Sequence, residues 1–94
     1  MLYRIITEDK GTSYTQDIVD LVTSRFRSFT LYYGLGYWKG KPESNLTIEI
    51  YMDLNPGEEK EILEKVQFLA FDIRDLLNQE SVLVQALPCE GVFV

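Results

Sequence analysis

The chain has 94 residues, of which 46% are hydrophobic and 26% are charged, and its formal net charge is −6. This length and composition are typical of a single globular domain with one hydrophobic core. The acidic balance argues against a general nucleic-acid binder, and no apolar run approaches the ~20 residues that a membrane span needs. We therefore expect one cytoplasmic domain over residues 1–94, without a signal peptide.

The residue types that most often carry catalysis or metal binding are scarce. Histidine is absent, so the commonest metal ligand and the commonest acid–base group near neutral pH are both missing. Cys89 is the single cysteine, which excludes an intrachain disulfide and a cysteine-type zinc site. We predict no metal, no cofactor and no catalytic residue, and a binding module is favoured over an enzyme.

The first two elements are predicted from periodicity and capping. Leu2–Thr7 is rich in β-branched and aromatic residues, as in a strand. Ser13 followed by Gln16 three residues later fits a helix N-cap, and apolar residues then recur at helical spacing. The first helix is therefore predicted over residues 14–27.

Two alternating patterns predict a long β-hairpin. Residues 29–38 form its first strand, and residues 46–53 form the second, antiparallel strand. The polar segment 42–45 is predicted as the turn between them. Gly34 and Gly36 fall on one face of the first strand, toward its far end.

A second helix and a fourth strand complete the domain. Asn55 as N-cap and Pro56 at the first helical position begin a helix that runs to about Asn78. Residues 81–87 form a strand, and residues 91–94 are a candidate short edge strand. The order β-α-β-β-α-β predicts an α+β, ferredoxin-like sandwich: a four-stranded antiparallel sheet with two helices on one face.

The segment from Gly34 to Lys41 is the candidate ligand site. Its glycines allow close backbone approach, its lysines offer positive charge, and its aromatic rings offer stacking surfaces. The structural alternative is a twisted hairpin whose bulged glycines are covered by aromatic rings. With flanking strand residues included, the predicted ligand-binding residues are Tyr32, Gly34, Gly36, Tyr37, Trp38, Lys39, Gly40, Lys41 and Glu49.

The sheet face away from the helices is predicted to be only partly polar. Tyr32, Tyr51 and Trp38 share it with Thr47 and Glu49, and an exposed apolar face usually marks an interface. We expect a homo-oligomer, with a monomer that half-exposes its tyrosines as the alternative. Aromatic residues also widen the apolar arc of the second helix. The predicted interface residues are Tyr32, Tyr51, Phe68 and Phe71.

The stretch from Phe29 to Ile50 resembles part of the nitrogen-regulatory PII signal proteins. It has a strand with Gly-x-Gly, a Lys-Gly nearby and an Ile-Glu-Ile return strand. The element order also resembles PII and the copper-tolerance CutA proteins. The resemblance implies a trimer that binds small nucleotides or other anions in clefts between subunits. By this resemblance, Gly34, Gly36, Lys39 and Gly40 correspond to the PII loop that lines the cleft. Glu49 corresponds to the acidic position in the returning strand.

Two features depart from the PII pattern. The long flexible loop is missing, because only the residues from Lys41 to Asn45 are predicted to join the strands. The Gly- and Lys-rich phosphate-binding segment is replaced by Leu77–Ser81, which contains neither residue type. A compact relative with a different ligand, or with none, fits better.

Three functions are consistent with these features. The first is a non-catalytic, PII-like regulatory or sequestering module for a small anionic ligand such as a nucleotide, bound between subunits. The second is a small acidic protein–protein interaction module, such as a virus-encoded inhibitor of a host defence system. The third is an enzyme, whose candidate groups have no partner at catalytic spacing. Those candidate groups are Lys39, Glu49, Tyr51 and Cys89.

Overall fold

The computed structural model describes residues 1–94 and has the element order β-α-β-β-α-β. The strands are β1 (Leu2–Glu8), β2 (Thr30–Trp38), β3 (Lys41–Tyr51) and β4 (Leu83–Leu87), and the helices are α1 (Thr12–Thr23) and α2 (Glu59–Leu77). The strands form one antiparallel sheet in the order β2-β3-β1-β4. This confirms the predicted α+β, ferredoxin-like arrangement.

The core lies between the helices and the two central strands. Successive strand side chains point to opposite faces, so every second residue of β1, and of β3 from Leu46 onwards, is buried against the helices. Each large side chain buried in this way contributes roughly 1.5–3 kcal/mol to stability. The core residues of the central strands are Tyr3, Ile5, Leu46, Ile48 and Ile50, and those of the helices include Ile18, Val22, Val66, Leu69 and Ile73.

The first helix begins two residues earlier than predicted and ends at Thr23 rather than residue 27. Gly11 is the N-cap residue, and its φ of 106° explains why a glycine occupies this position. The Gly11 N–H donates to Asp9 Oδ1 at 3.0 Å, so the turn after β1 leads directly into the helix. Ser13, the predicted N-cap residue, lies inside the first turn.

The second helix begins later than predicted, at Glu59 rather than at Pro56. The Asn55 N–H donates to Glu58 Oε1 at 2.8 Å, which is half of the predicted capping box. Gly57 interrupts the helical path with a φ of 92°, so the segment forms a turn before the helix. At the other end, Asn78 adopts the left-handed conformation that commonly terminates helices.

The predicted hairpin turn at residues 42–45 is wrong. The turn is Lys39-Gly40, and these residues have φ values of 51° and 78°. Two residues with positive φ match the type I′ turn, whose twist suits a two-residue hairpin. The proline, Pro42, is tolerated in β3 because β1 ends opposite Asn45, so this part of β3 has no neighbour on its second side.

The candidate edge strand at residues 91–94 does not form. Instead the segment packs on the ring of Tyr51, whose hydroxyl donates to the Gly91 carbonyl at 3.3 Å. The ring of Phe93 meets the Tyr51 ring edge-on at 6.3 Å. Strand β4 is therefore an edge of the sheet.

The turn geometry gives a direct test. Gly40→Ala places a side chain at a positive φ, and we expect a loss of about 1 kcal/mol in the free energy of unfolding in urea. Lys41→Ala is the matched control, because Lys41 is exposed at the start of a regular strand. Equal stability of the two variants would contradict the Lys39-Gly40 turn.

Candidate functional site

The face of the sheet opposite the helices, called the open face below, carries a mixed set of side chains. The strand register aligns Thr30, Glu49, Arg4 and Gln85 in one row across the sheet. The next row is Tyr32, Thr47, Ile6 and Leu83. The register therefore places Tyr32, Thr47 and Glu49 on one face, as the sequence pattern predicts.

An ion pair lies at the centre of the open face. Arg4 donates from Nη2 and Nε to Glu49 Oε2, at 2.8 and 3.0 Å. The hydrogen bond to Glu49 holds the pKa of Arg4 above its ordinary value. Gln85 Oε1 accepts from Arg4 Nη1 at 3.4 Å. Both Arg4 bonds to the carboxylate fall on Oε2, so Oε1 of Glu49 is left to accept from another group.

A cavity of about 610 Å³ lies where the β2–β3 hairpin extends beyond the end of β1. We call it the hairpin cavity. Its size is within the range of small-molecule sites. The end of β1, the hairpin, the segment before β4 and the start of β4 form its wall. The lining residues are Ile6, Thr7, Glu8, Gly36, Tyr37, Trp38, Glu43, Ser44, Asn45, Gln79, Glu80, Ser81 and Leu83.

The hairpin cavity is acidic. Glu8, Glu43 and Glu80 contribute three carboxylates to its wall, and no lysine or arginine lines it. Lys10 pairs with Glu8 at 3.2 Å outside the wall. Complementarity of charge therefore favours a cationic or neutral ligand in this cavity over an anionic one.

The predicted ligand-binding residues separate into three places. Gly36, Tyr37 and Trp38 line the hairpin cavity, whereas Tyr32, Gly34 and Glu49 lie elsewhere on the open face. The tip of the hairpin contains Lys39, Gly40 and Lys41. At this tip the Lys39 ammonium lies 5.8 Å from the centre of the Trp38 ring.

The space beside the two strand glycines is filled by Asn45, which the sequence pattern placed in a turn. Gly34 is paired with Asn45 across the hairpin. A methyl group at Gly34 would lie 2.5 Å from Asn45 Oδ1, and one at Gly36 would lie 3.1 Å from Asn45 Nδ2. The glycines therefore make room for an amide side chain rather than for aromatic rings. A correct turn assignment would have identified this pairing from the sequence.

The predicted interface residues lie on two surfaces. Tyr32 and Tyr51 lie on the open face, where Tyr32 is exposed and Tyr51 is half-buried under the Gly91 segment. Phe68 and Phe71 lie on α2 and are 64% and 49% exposed. Phe71 borders a groove of about 330 Å³ between α2 and β4.

The candidate enzyme groups do not form a catalytic cluster. Lys39 lies at the hairpin tip, Glu49 is paired with Arg4, and Tyr51 bonds to Gly91. Cys89 is exposed near the chain's end. No group of three or more acidic, cysteine or histidine side chains is arranged to hold a metal ion. Neither helix is sufficiently long and apolar to cross a membrane.

The fold and the hairpin cavity define a small α+β sheet protein with a ligand-sized site. No protein-family model and no curated protein matches the sequence. The solved structures that share the fold include two of phage SAM lyases. One is a phage SAM lyase in complex with S-methyl-5′-thioadenosine: TM-score 0.57, 24% identity, 88% of this chain and 76% of that chain covered. The other is a phage SAM lyase in the apo state, at TM-score 0.59 and 24% identity, with 88% and 75% covered.

The central ion pair gives a second test. Arg4→Met leaves the half-buried carboxylate of Glu49 without its partner, and we expect a lower Tm than in the wild type. In Arg4→Met/Glu49→Leu no charge remains unpaired, so the Tm should recover above that of the single variant. A double variant that melts below Arg4→Met would contradict this description of the pair.

Proposed function

We propose that this chain binds S-adenosylmethionine (SAM) in the hairpin cavity and cleaves it as a SAM lyase, releasing S-methyl-5′-thioadenosine (MTA). The observation that carries the proposal is the hairpin cavity itself. It combines three carboxylates and the ring of Trp38 with no basic side chain in its lining. The likeness in fold to the phage SAM lyases supports the choice of ligand.

The charge of the ligand fits the charge of the cavity. SAM carries a sulfonium cation, which carboxylates attract and which aromatic ring faces also stabilise. The cavity supplies both, through Glu43, Glu80 and the ring of Trp38. Trp38 is 64% exposed without a ligand, so its ring is available for stacking on adenine.

The cleavage of SAM to MTA does not require histidine, the acid–base residue that the chain lacks. Converting SAM to MTA breaks the bond between sulfur and the four-carbon amino acid chain, and the electron pair stays on sulfur. The leaving group is a neutral thioether, so no general acid has to protonate it. The four-carbon fragment completes its valence through its own carboxylate or by loss of a proton. The absence of histidine is therefore compatible with this lyase reaction.

We also propose that the active form is a homo-oligomer, a trimer if the PII-like interpretation holds. Tyr32, Phe68 and Phe71 are all exposed in the single chain, and oligomer formation would cover such rings. Light scattering coupled to size exclusion measures the number of subunits. A monomer at assay concentration would contradict this part of the proposal and leave the ligand part standing.

A second candidate is the protein–protein interaction module, such as a virus-encoded inhibitor. The exposed pair Phe68 and Phe71 beside the α2–β4 groove favours it, because such rings often anchor interfaces. This candidate requires no affinity for SAM or MTA. Binding of neither compound in calorimetry would favour it over the lyase.

The two ligands provide a test of the charge argument. Glu43→Gln and Glu80→Gln should each weaken SAM binding about 2- to 5-fold, because each removes one solvent-accessible carboxylate near the sulfonium. Binding of MTA, which is neutral at sulfur, should change little. Isothermal titration calorimetry measures both affinities, and Glu64→Gln on α2 is the matched control. Equal losses for SAM and MTA would contradict the argument.

Turnover separates the lyase from a sequestering module. The wild-type protein is incubated with SAM, and MTA is quantified by liquid chromatography with mass spectrometry against a blank without protein. The lyase predicts MTA in excess over protein. Tight binding of SAM with no MTA above the blank would instead indicate the non-catalytic, sequestering module.

A further inference from the structure

We propose that the side-chain amide of Asn45 recognises the adenine base, by pairing with its 6-amino group and a neighbouring ring nitrogen. Asn45 would thus be the residue that sets base specificity. The inference rests on the proposed function, because it assumes an adenosyl ligand in the hairpin cavity. It adds a specific role for one residue that the shared fold does not assign.

The Asn45 amide is available to a ligand. It lines the hairpin cavity and is half-buried, and no side chain or backbone group of the chain forms a hydrogen bond with it. An amide has one acceptor oxygen and two N–H donors. Polar groups in a binding site that lack protein partners are available to pair with the ligand.

Two glycines of β2 leave the space that the Asn45 amide occupies. Gly34 and Gly36 lie beside it, and methyl groups at these positions would come within 2.5 Å of Oδ1 and 3.1 Å of Nδ2. These glycines thus permit the amide to lie close to β2. A side chain added at either glycine would therefore displace the amide from this position.

The chemistry of an amide matches adenine. Adenine presents an amino donor next to a ring-nitrogen acceptor, and an asparagine amide pairs with these two groups through two parallel hydrogen bonds. A purine that lacks the 6-amino group leaves Oδ1 without a donor. The ring of Trp38 lies on the same face of the hairpin as Asn45 and lines the same cavity, so it can stack on the base.

The experiment measures the affinities of MTA and of its analogue without the 6-amino group, by calorimetry on the full chain. The wild type should bind MTA about 10-fold more tightly than the analogue, because one hydrogen bond is lost. Asn45→Ala should weaken MTA binding about 10- to 100-fold and bind the two compounds equally. Glu64→Gln should retain the wild-type preference.

Gly34→Ala tests the positioning without removing the amide. The added methyl group would displace Oδ1, so this variant should lose MTA affinity about as strongly as Asn45→Ala. The double variant Gly34→Ala/Asn45→Ala should bind MTA no more weakly than Asn45→Ala alone, because both changes remove the same interaction, that of the amide with the base. Urea unfolding of each variant checks that it is folded.

The outcomes distinguish the two levels of the account. If the wild type binds MTA and Asn45→Ala keeps both the affinity and the preference, the role of Asn45 is overturned while the proposed function stands. If the losses of MTA affinity in the two single variants add up in the double variant, Gly34 does not act through the position of Asn45. If the wild type binds neither SAM nor MTA, the proposed function and this inference are both overturned.

Discussion

The register of the β2–β3 hairpin determines which of its side chains face the candidate site, and the Lys39-Gly40 turn sets that register. A two-residue turn joins Trp38 to Lys41 and thereby brings Gly34 opposite Asn45. Because strand side chains alternate, a shift by one residue would move the whole set to the other face of the sheet. The same short turn extends the hairpin beyond the end of β1, which forms one wall of the cavity.

The charges of the protein are separated along this hairpin. The tip is basic through Lys39 and Lys41, and the cavity below it is acidic through Glu8, Glu43 and Glu80. At the centre of the open face, Arg4 and Glu49 neutralise each other. An anionic ligand would therefore have to bind at the tip, whereas a sulfonium ligand has an acidic cavity available.

Much of the fold could be predicted from the sequence, because the core follows simple periodicity. Alternation in residues 46–50 and helical spacing in α2 identified the buried faces that the structure shows. The ends of elements were less predictable. Gly11 and Gly57 adopt positive φ values that change where each helix begins, and a local pattern shows the glycine but not its conformation.

The candidate site was predictable only in part, and the reason is again the turn. Pro42, Ser44 and Asn45 are common turn residues, so the composition of this segment concealed the start of β3. As a result Glu43 and Asn45 were missed as cavity residues. The segment from Gln79 to Ser81 was missed as well. It reaches the cavity only through tertiary packing, which hydrophobic periodicity in the sequence does not indicate.

The most direct test of the account is a titration of ¹⁵N-labelled protein with MTA, followed in two-dimensional ¹H–¹⁵N spectra. Trp38 is the single tryptophan, so its indole N–H gives one identifiable signal, and the Asn45 side-chain amide gives a pair. Binding of MTA in the hairpin cavity should cause saturable shifts of these signals and of the Gly34 and Gly36 backbone amide signals. Shifts confined to α1 and α2, or no shift at millimolar MTA, would contradict it.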